Sequence, residues 1–147
     1  MTISTTKLFF IFSLSLSLLV SISVQATEPI KVMDIESGEI IKEKAMTETL
    51  EKEVLSIIKS ITTITIEANP VPKKGYLVKV PLTKSFKVKN KWFDEIVNEV
   101  IIVYSPATNV PQKIILFTDE NKPMFFDVKN DLTQLLKELE VTDPADE

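Results

Sequence analysis

At Ser60 the hydrophobic period of the chain changes, and that change decides the fold class. Upstream, Met46, Leu50, Val54, Ile57 and Ile61 recur at spacings of three or four, and Ile58 widens the stripe. Glu48, Glu51, Lys52 and Lys59 take the other side. This spacing predicts an amphipathic helix over residues 44–60, with its stripe serving as a core face. Downstream, Thr63-Ile64-Thr65-Ile66-Glu67 alternates and is rich in β-branched residues. Alternation of period two places every second side chain on one face of a strand, which no helix can do.

Extended segments continue from there. Asn69-Pro70-Val71-Pro72-Lys73-Lys74-Gly75 breaks the first strand, because prolines cannot donate to a ladder and glycine favours turns. Strands are predicted at 76–80 and 85–89. Pro81 should end the first of these or hold it at a sheet edge. In 85–89, Phe86 and Val88 should point inward while Lys87 and Lys89 point to water. Further strands are expected at 95–104, 113–118 and 124–128, the last two joined by the polar turn Asp119-Glu120-Asn121-Lys122-Pro123. Residues 28–44 form a hairpin turned at Gly38, or else Gly38 ends a loop and the helix starts at Glu39. Asn130 or Asp131 should cap a final helix running to residue 140, with Leu132, Leu135, Leu136 and Leu139 as its stripe.

Two one-sided helices need a common apolar surface to cover. The expected fold is therefore α+β. It is a two-layer antiparallel sheet of about four to six strands, with an N-terminal and a C-terminal helix packed on one face. Residues 27–140 form a single domain, and 141–147 form a flexible acidic tail.

Residues 1–26 have the plan of a cleaved signal peptide. Lys7 precedes the apolar stretch 8–24, and Val24-Gln25-Ala26 offers small residues at the −3 and −1 positions of a cleavage site. The stretch carries five serines and is short for a membrane span of about 20 residues. Cleavage after Ala26 would leave a secreted or periplasmic protein with no transmembrane segment. An exported chain without cysteine relies on apolar packing alone, which suits a bacterial envelope better than a disulfide-rich animal exterior.

Composition removes most catalytic chemistry. There is no His and no Cys, and all 17 cationic side chains are lysine. Zinc sites built on His or Cys, cysteine nucleophiles and Ser-His-Asp triads are excluded. Two glycines cannot build a phosphate-cradling loop. No metal or cofactor is expected. Carboxylates remain. Asp94, Glu95 and Glu99 cluster beside Trp92, and an extended chain would put Glu95 and Glu99 on one face. Such a pair could perform acid–base work or hold a hard cation, although acidic pairs are more often surface charges.

The clearest anomaly is an interval without acid. Between Glu67 and Asp94 stand Lys73, Lys74, Lys79, Lys84, Lys87, Lys89 and Lys91, accompanied by Tyr76, Phe86, Trp92 and Phe93. Read functionally, Lys79, Lys84, Lys87, Lys89, Lys91 and Trp92 make a face for an anionic surface or an acidic protein partner. Read structurally, edge-strand lysines deter aggregation and need no ligand. Phe93 is expected in the core. Nucleic acid is a poor match, since there is no arginine and the net charge is −4. The expectation is a small exported, non-enzymatic binding or accessory domain. Two alternatives stand beside it: an exported hydrolase using Asp94, Glu95 or Glu99, and an inhibitor or chaperone-like module offering an edge strand near Pro81.

Overall fold

Strands β1 (Ile30–Asp34) and β2 (Ile40–Lys44) pair antiparallel as the hairpin anticipated around Gly38. Gly38 has φ +71, a backbone state that a side chain makes costly, and its N–H donates to the Asp34 carbonyl at 2.9 Å. The Ser37 N–H donates to the Asp34 carboxylate at 2.7 Å. The structure is a computed structural model, and it describes residues 27–143. The signal peptide expected at 1–26 and the last four residues of the expected tail lie outside the described residues.

Helix α1 (Glu48–Lys59) begins later than the apolar spacing predicts, because β2 occupies the chain as far as Lys44. Thr47 caps it by accepting the Leu50 N–H at 3.2 Å. Glu48 and Glu51 in the first turn and Lys59 in the last complement the helix dipole. Leu50, Val54, Ile57 and Ile58 are buried, which is the stripe read from the sequence.

After α1 come β3 (Ile61–Ile64), β4 (Tyr76–Lys89), β5 (Asp94–Tyr104), β6 (Gln112–Phe117), β7 (Pro123–Val128) and helix α2 (Thr133–Leu139). The strands form one antiparallel sheet in the order β2-β1-β4-β5-β6-β7-β3. Broadly the fold is α+β, but with seven strands among the described residues instead of the expected four to six. The first helix is not N-terminal: the β1–β2 hairpin precedes it and joins the same sheet. Helix α1 connects one edge strand, β2, to the other, β3.

Of the two outcomes expected at Pro81, the edge position holds and the strand end does not. The strand runs through it, and what ends nearby is pairing on one side. β1 reaches no further along β4 than Lys79, so from Val80 onward β4 has a neighbour only in β5. A proline there deprives no central ladder of a donor. Helix α2 also starts later than expected. Asp131 accepts both the N–H and the hydroxyl of Thr133, at 3.0 and 2.7 Å, and so initiates the helix from outside while Leu132 sits at the cap position.

The inner faces of the strands and both helices share one core, with Phe126, Leu116, Ile114, Ile102 and Leu132 among its fully buried members. The outer face is crossed by the segment after β3. Val103 on β5 and Lys113 on β6 are paired neighbours on that face, and both are buried there. Glu67, Pro70 and Pro72 line a recess with them. Three residues of the expected tail, 141–143, are described, and each makes a contact. Val141 packs on the core, the Tyr76 hydroxyl donates to the Thr142 carbonyl at 2.9 Å, and the Tyr104 hydroxyl donates to the Asp143 carboxylate. Among the described residues no helix is long and apolar enough to cross a membrane.

Candidate functional site

The half of the β4–β5 hairpin beyond Lys79 is a two-stranded arm that lies along α1. Within it, four residues of β4, 82–85, stand opposite the single residue Asn98 of β5. A bulge of this kind bends the strand and raises its twist. Two side-chain bonds hold it. Ser85 donates to the Asn98 side-chain oxygen at 2.5 Å, and the Glu51 carboxylate of α1 accepts the Thr83 N–H at 3.2 Å. At the tip, the Asn90 side-chain oxygen accepts the N–H groups of Trp92 and Phe93, both at 2.9 Å, which closes the turn into β5.

Phe93 is in the core as expected, edge-on to Phe126 with ring centroids 5.7 Å apart. Trp92 is half-buried and packs against the same core, with the Lys91 ammonium 4.3 Å from its ring centroid. Phe86 and Val88 face inward and Lys87 and Lys89 are exposed, in the alternation the sequence predicts.

The lysines of the acid-free interval do not make a single face. Lys73 and Lys74 lie in the segment between β3 and β4, where Lys74 approaches Glu36 at 3.9 Å. Lys79 is neutralised on the outer face by Glu99 at 3.2 Å and Glu28 at 3.8 Å. Its ammonium is held above the ordinary lysine range, first by the hydrogen bond to Glu99. Lys84, Lys87, Lys89 and Lys91 are on the arm. Lys87 pairs with Asp94 at 2.7 Å, whereas Lys84, Lys89 and Lys91 have no ion pair among the described residues. Of the candidate lysines, Lys84, Lys87, Lys89 and Lys91 thus stand together on the arm, and Lys79 stands apart from them in an ion-paired group.

The three carboxylates are not gathered either. Asp94 is bonded to Lys87, and this bond holds its carboxyl below the ordinary aspartate range. Glu95 accepts the Asp119 N–H at 2.5 Å from the β6–β7 turn, and Glu99 is bonded to Lys79. Glu95 and Glu99 do not share a face. Glu95 is paired with the inward Val88, and Glu99 with the outward Pro81. The bulge is the cause, since it shifts the inward position on β5 from Val97 to Val100. Among the described residues no group of three or more acidic side chains could hold a metal ion.

The arm and α1 enclose a feature that the sequence did not disclose. Ile58 and Lys59 at the end of α1, Ile61 at the start of β3, and Phe86 to Asn90 on the arm line a groove of about 220 Å³. The Lys59 ammonium stands 5.7 Å from the Phe86 ring centroid. Lys59 belongs to an ordinary solvated helix face in the sequence, and nothing in the linear pattern connects it to Phe86. Lys113 was likewise hidden inside a strand motif. Its ammonium lies 3.3 Å from the Pro111 carbonyl, 3.4 Å from Glu67 and 3.9 Å from Asp127, and its side chain is 7% exposed. Comparison of the chain with protein-family models, with curated proteins and with solved structures gave no match.

Proposed function

We propose that this protein is an exported, non-enzymatic binding domain whose β4–β5 arm receives an anionic partner or surface. The observation that carries the reading is the charge state of the arm. Lys79, Lys74 and Lys113 have acidic neighbours at ion-pair distance, while Lys84, Lys89 and Lys91 have none among the described residues. Lysines on a half-paired strand also discourage strand addition, and the same solvated ammonium groups serve that purpose. Binding distinguishes the two roles.

The test is association of the protein with vesicles rich in phosphatidylglycerol and with an anionic polysaccharide, measured across a salt series. Solvent-exposed ion contacts weaken over a Debye length of about 10 Å at 0.1 M salt and about 3 Å at 1 M. Salt-sensitive binding that is lost when Lys84, Lys87 and Lys89 are all replaced by Glu supports the reading. No salt-sensitive binding of the wild type to either anion overturns it.

A further inference from the structure

We infer that the groove between the end of α1 and the arm binds single-chain anionic amphiphiles, with a carboxylate or phosphate head on an alkyl chain. This rests on the anion-binding reading above and narrows its ligand. The groove lies at a seam. Its walls come from β4 beyond the reach of β1 and from the junction of α1 with β3, the last strand in the sheet order. The sheet curls far enough to bring these elements together without closing on itself, so a recess remains between them.

The chemistry of the lining is two-sided. Ile58, Ile61, Phe86 and Val88 supply apolar surface. Lys59, Lys87 and Lys89 supply every charge, and the lining contains no carboxylate. Two further recesses among the described residues differ in this respect: one along β5 includes Glu99 and Asp119, and one over Lys113 includes Glu67. A bare inorganic anion would use the lysines and leave the Phe86 surface unused. An apolar ligand without charge would leave the Lys59 and Lys89 ammonium groups, which have no ion pair among the described residues, without a counter-charge, while Lys87 keeps its pair with Asp94. An amphiphilic anion satisfies both, because burying each methylene contributes about 0.8 kcal/mol and a charge-assisted contact fixes the head.

Helix polarity opposes this, since a helix C-terminus carries about −0.5 charge. The Ser60 N–H and hydroxyl both donate back to the final-turn carbonyl of Ile57, and Lys59 adds a full positive charge at the same point. The local sign is therefore positive. Size favours a monomer over a bilayer. Ile58 is 2% and Val88 5% exposed, so part of the apolar floor is recessed. A thin chain can reach along such a floor, whereas a flat surface would meet the rim. A groove of about 220 Å³ is smaller than pockets that enclose whole drug-sized ligands, so it would hold the head and nearest carbons while the tail runs out.

The experiment uses dodecanoate below its micelle concentration. Controls are dodecyltrimethylammonium, inorganic phosphate and phosphatidylglycerol vesicles. Binding is followed by NMR shifts of the Ile58, Ile61 and Val88 methyl groups and the Phe86 ring. The expected result is saturable dodecanoate binding mapped to those residues, weakened about tenfold or more when Lys59→Gln and Lys89→Gln are combined. Equal binding of the cationic chain, shifts mapping elsewhere, or inorganic phosphate binding as tightly as dodecanoate overturns the inference. Salt-sensitive vesicle binding without dodecanoate binding overturns the groove but leaves the anion-binding arm standing. Failure of both removes both.

Discussion

The carboxylate of Glu51, in the first turn of α1, accepts the backbone N–H of Thr83 in the bulge of β4 at 3.2 Å. This bond ties the arm to the helix where no strand pairs with it on that side. Glu51→Ala would release a backbone donor in an exposed setting, so water can replace the carboxylate. The expected loss of global stability is small, about 1 kcal/mol or less. The local effect should be larger. Hydrogen exchange at Thr83 should accelerate well beyond that at Ile102, which is paired on both sides, with Val78 of β4 and Ile114 of β6. Uniform acceleration at both amides would show that the arm and the sheet open together, and that Glu51 holds nothing separately.

Gly75 carries a sharper constraint. It has φ +125, and a Cβ built on it would lie 2.0 Å from the Tyr104 carbonyl oxygen. The obstructing atom is backbone of a paired strand and cannot swing aside. Gly75→Ala combines a forbidden dihedral with a steric overlap, each costing on the order of 1–3 kcal/mol. Gly38→Ala provides the contrast. It has positive φ but nothing within 4 Å of the new Cβ, so only the dihedral cost applies. Chemical denaturation should rank Gly75→Ala well below Gly38→Ala in stability. Equal losses would mean that the approach to Tyr104 relaxes without cost.

Lys113 is buried, yet its acidic neighbours are less so. The side chain of Glu67 is 52% exposed and that of Asp127 17%. Asp127 also accepts the Thr65 hydroxyl at 2.6 Å. Breaking a fully buried ion pair from one side costs about 3–5 kcal/mol, because the remaining charge stays unpaired. Here the carboxylates keep water or a hydroxyl after Lys113→Met, and the methionine retains most of the apolar packing of the lysine stem. The expected loss is roughly 1–2 kcal/mol, intermediate between a surface pair and a buried one. Lys113→Glu, which places a third acid in the same recess, should lose more. Urea denaturation of the two variants measures both, and a Met variant worse than the Glu variant would refute the electrostatic account.

The strands of the middle of the chain were legible because alternation survives wherever pairing is regular. The strands expected at 95–104, 113–118 and 124–128 match β5, β6 and β7 to within one residue at each end. Legibility failed where one element changes what another means. Pro81 does not interrupt β4, since β1 stops at Lys79, and the length of β1 is invisible from Pro81. Glu95 and Glu99 part company because a bulge in the facing strand resets the alternation of their own. The seven lysines adjacent in sequence separate in space, and Lys59 joins the arm through a contact with Phe86 that only the curl of the sheet creates. Local period encodes elements, but the charged environment of each lysine depends on which acids the topology returns to it.

The Lys87–Asp94 pair offers a titration test of the arm. The hydrogen bond from Lys87 is the leading cause that lowers the Asp94 carboxyl below its ordinary value of 3.8, and Lys89 adds a weaker attraction. A folded value below the unfolded one means that ionised Asp94 favours the folded arm above that ordinary value. This contribution is lost as the pH falls through the folded value. Lys87→Gln removes the principal cause. The Asp94 carboxyl should then titrate at higher pH, closer to 3.8, while the Lys89→Gln variant shows a smaller movement in the same direction. Carboxyl carbon shifts followed by NMR between neutral and strongly acid pH report the midpoint directly. Because both groups are exposed, added salt should shift the wild-type midpoint upward as well. A midpoint unmoved by Lys87→Gln would mean that the pair does not persist in solution, and Lys87 would then count with Lys84, Lys89 and Lys91 as an uncommitted charge.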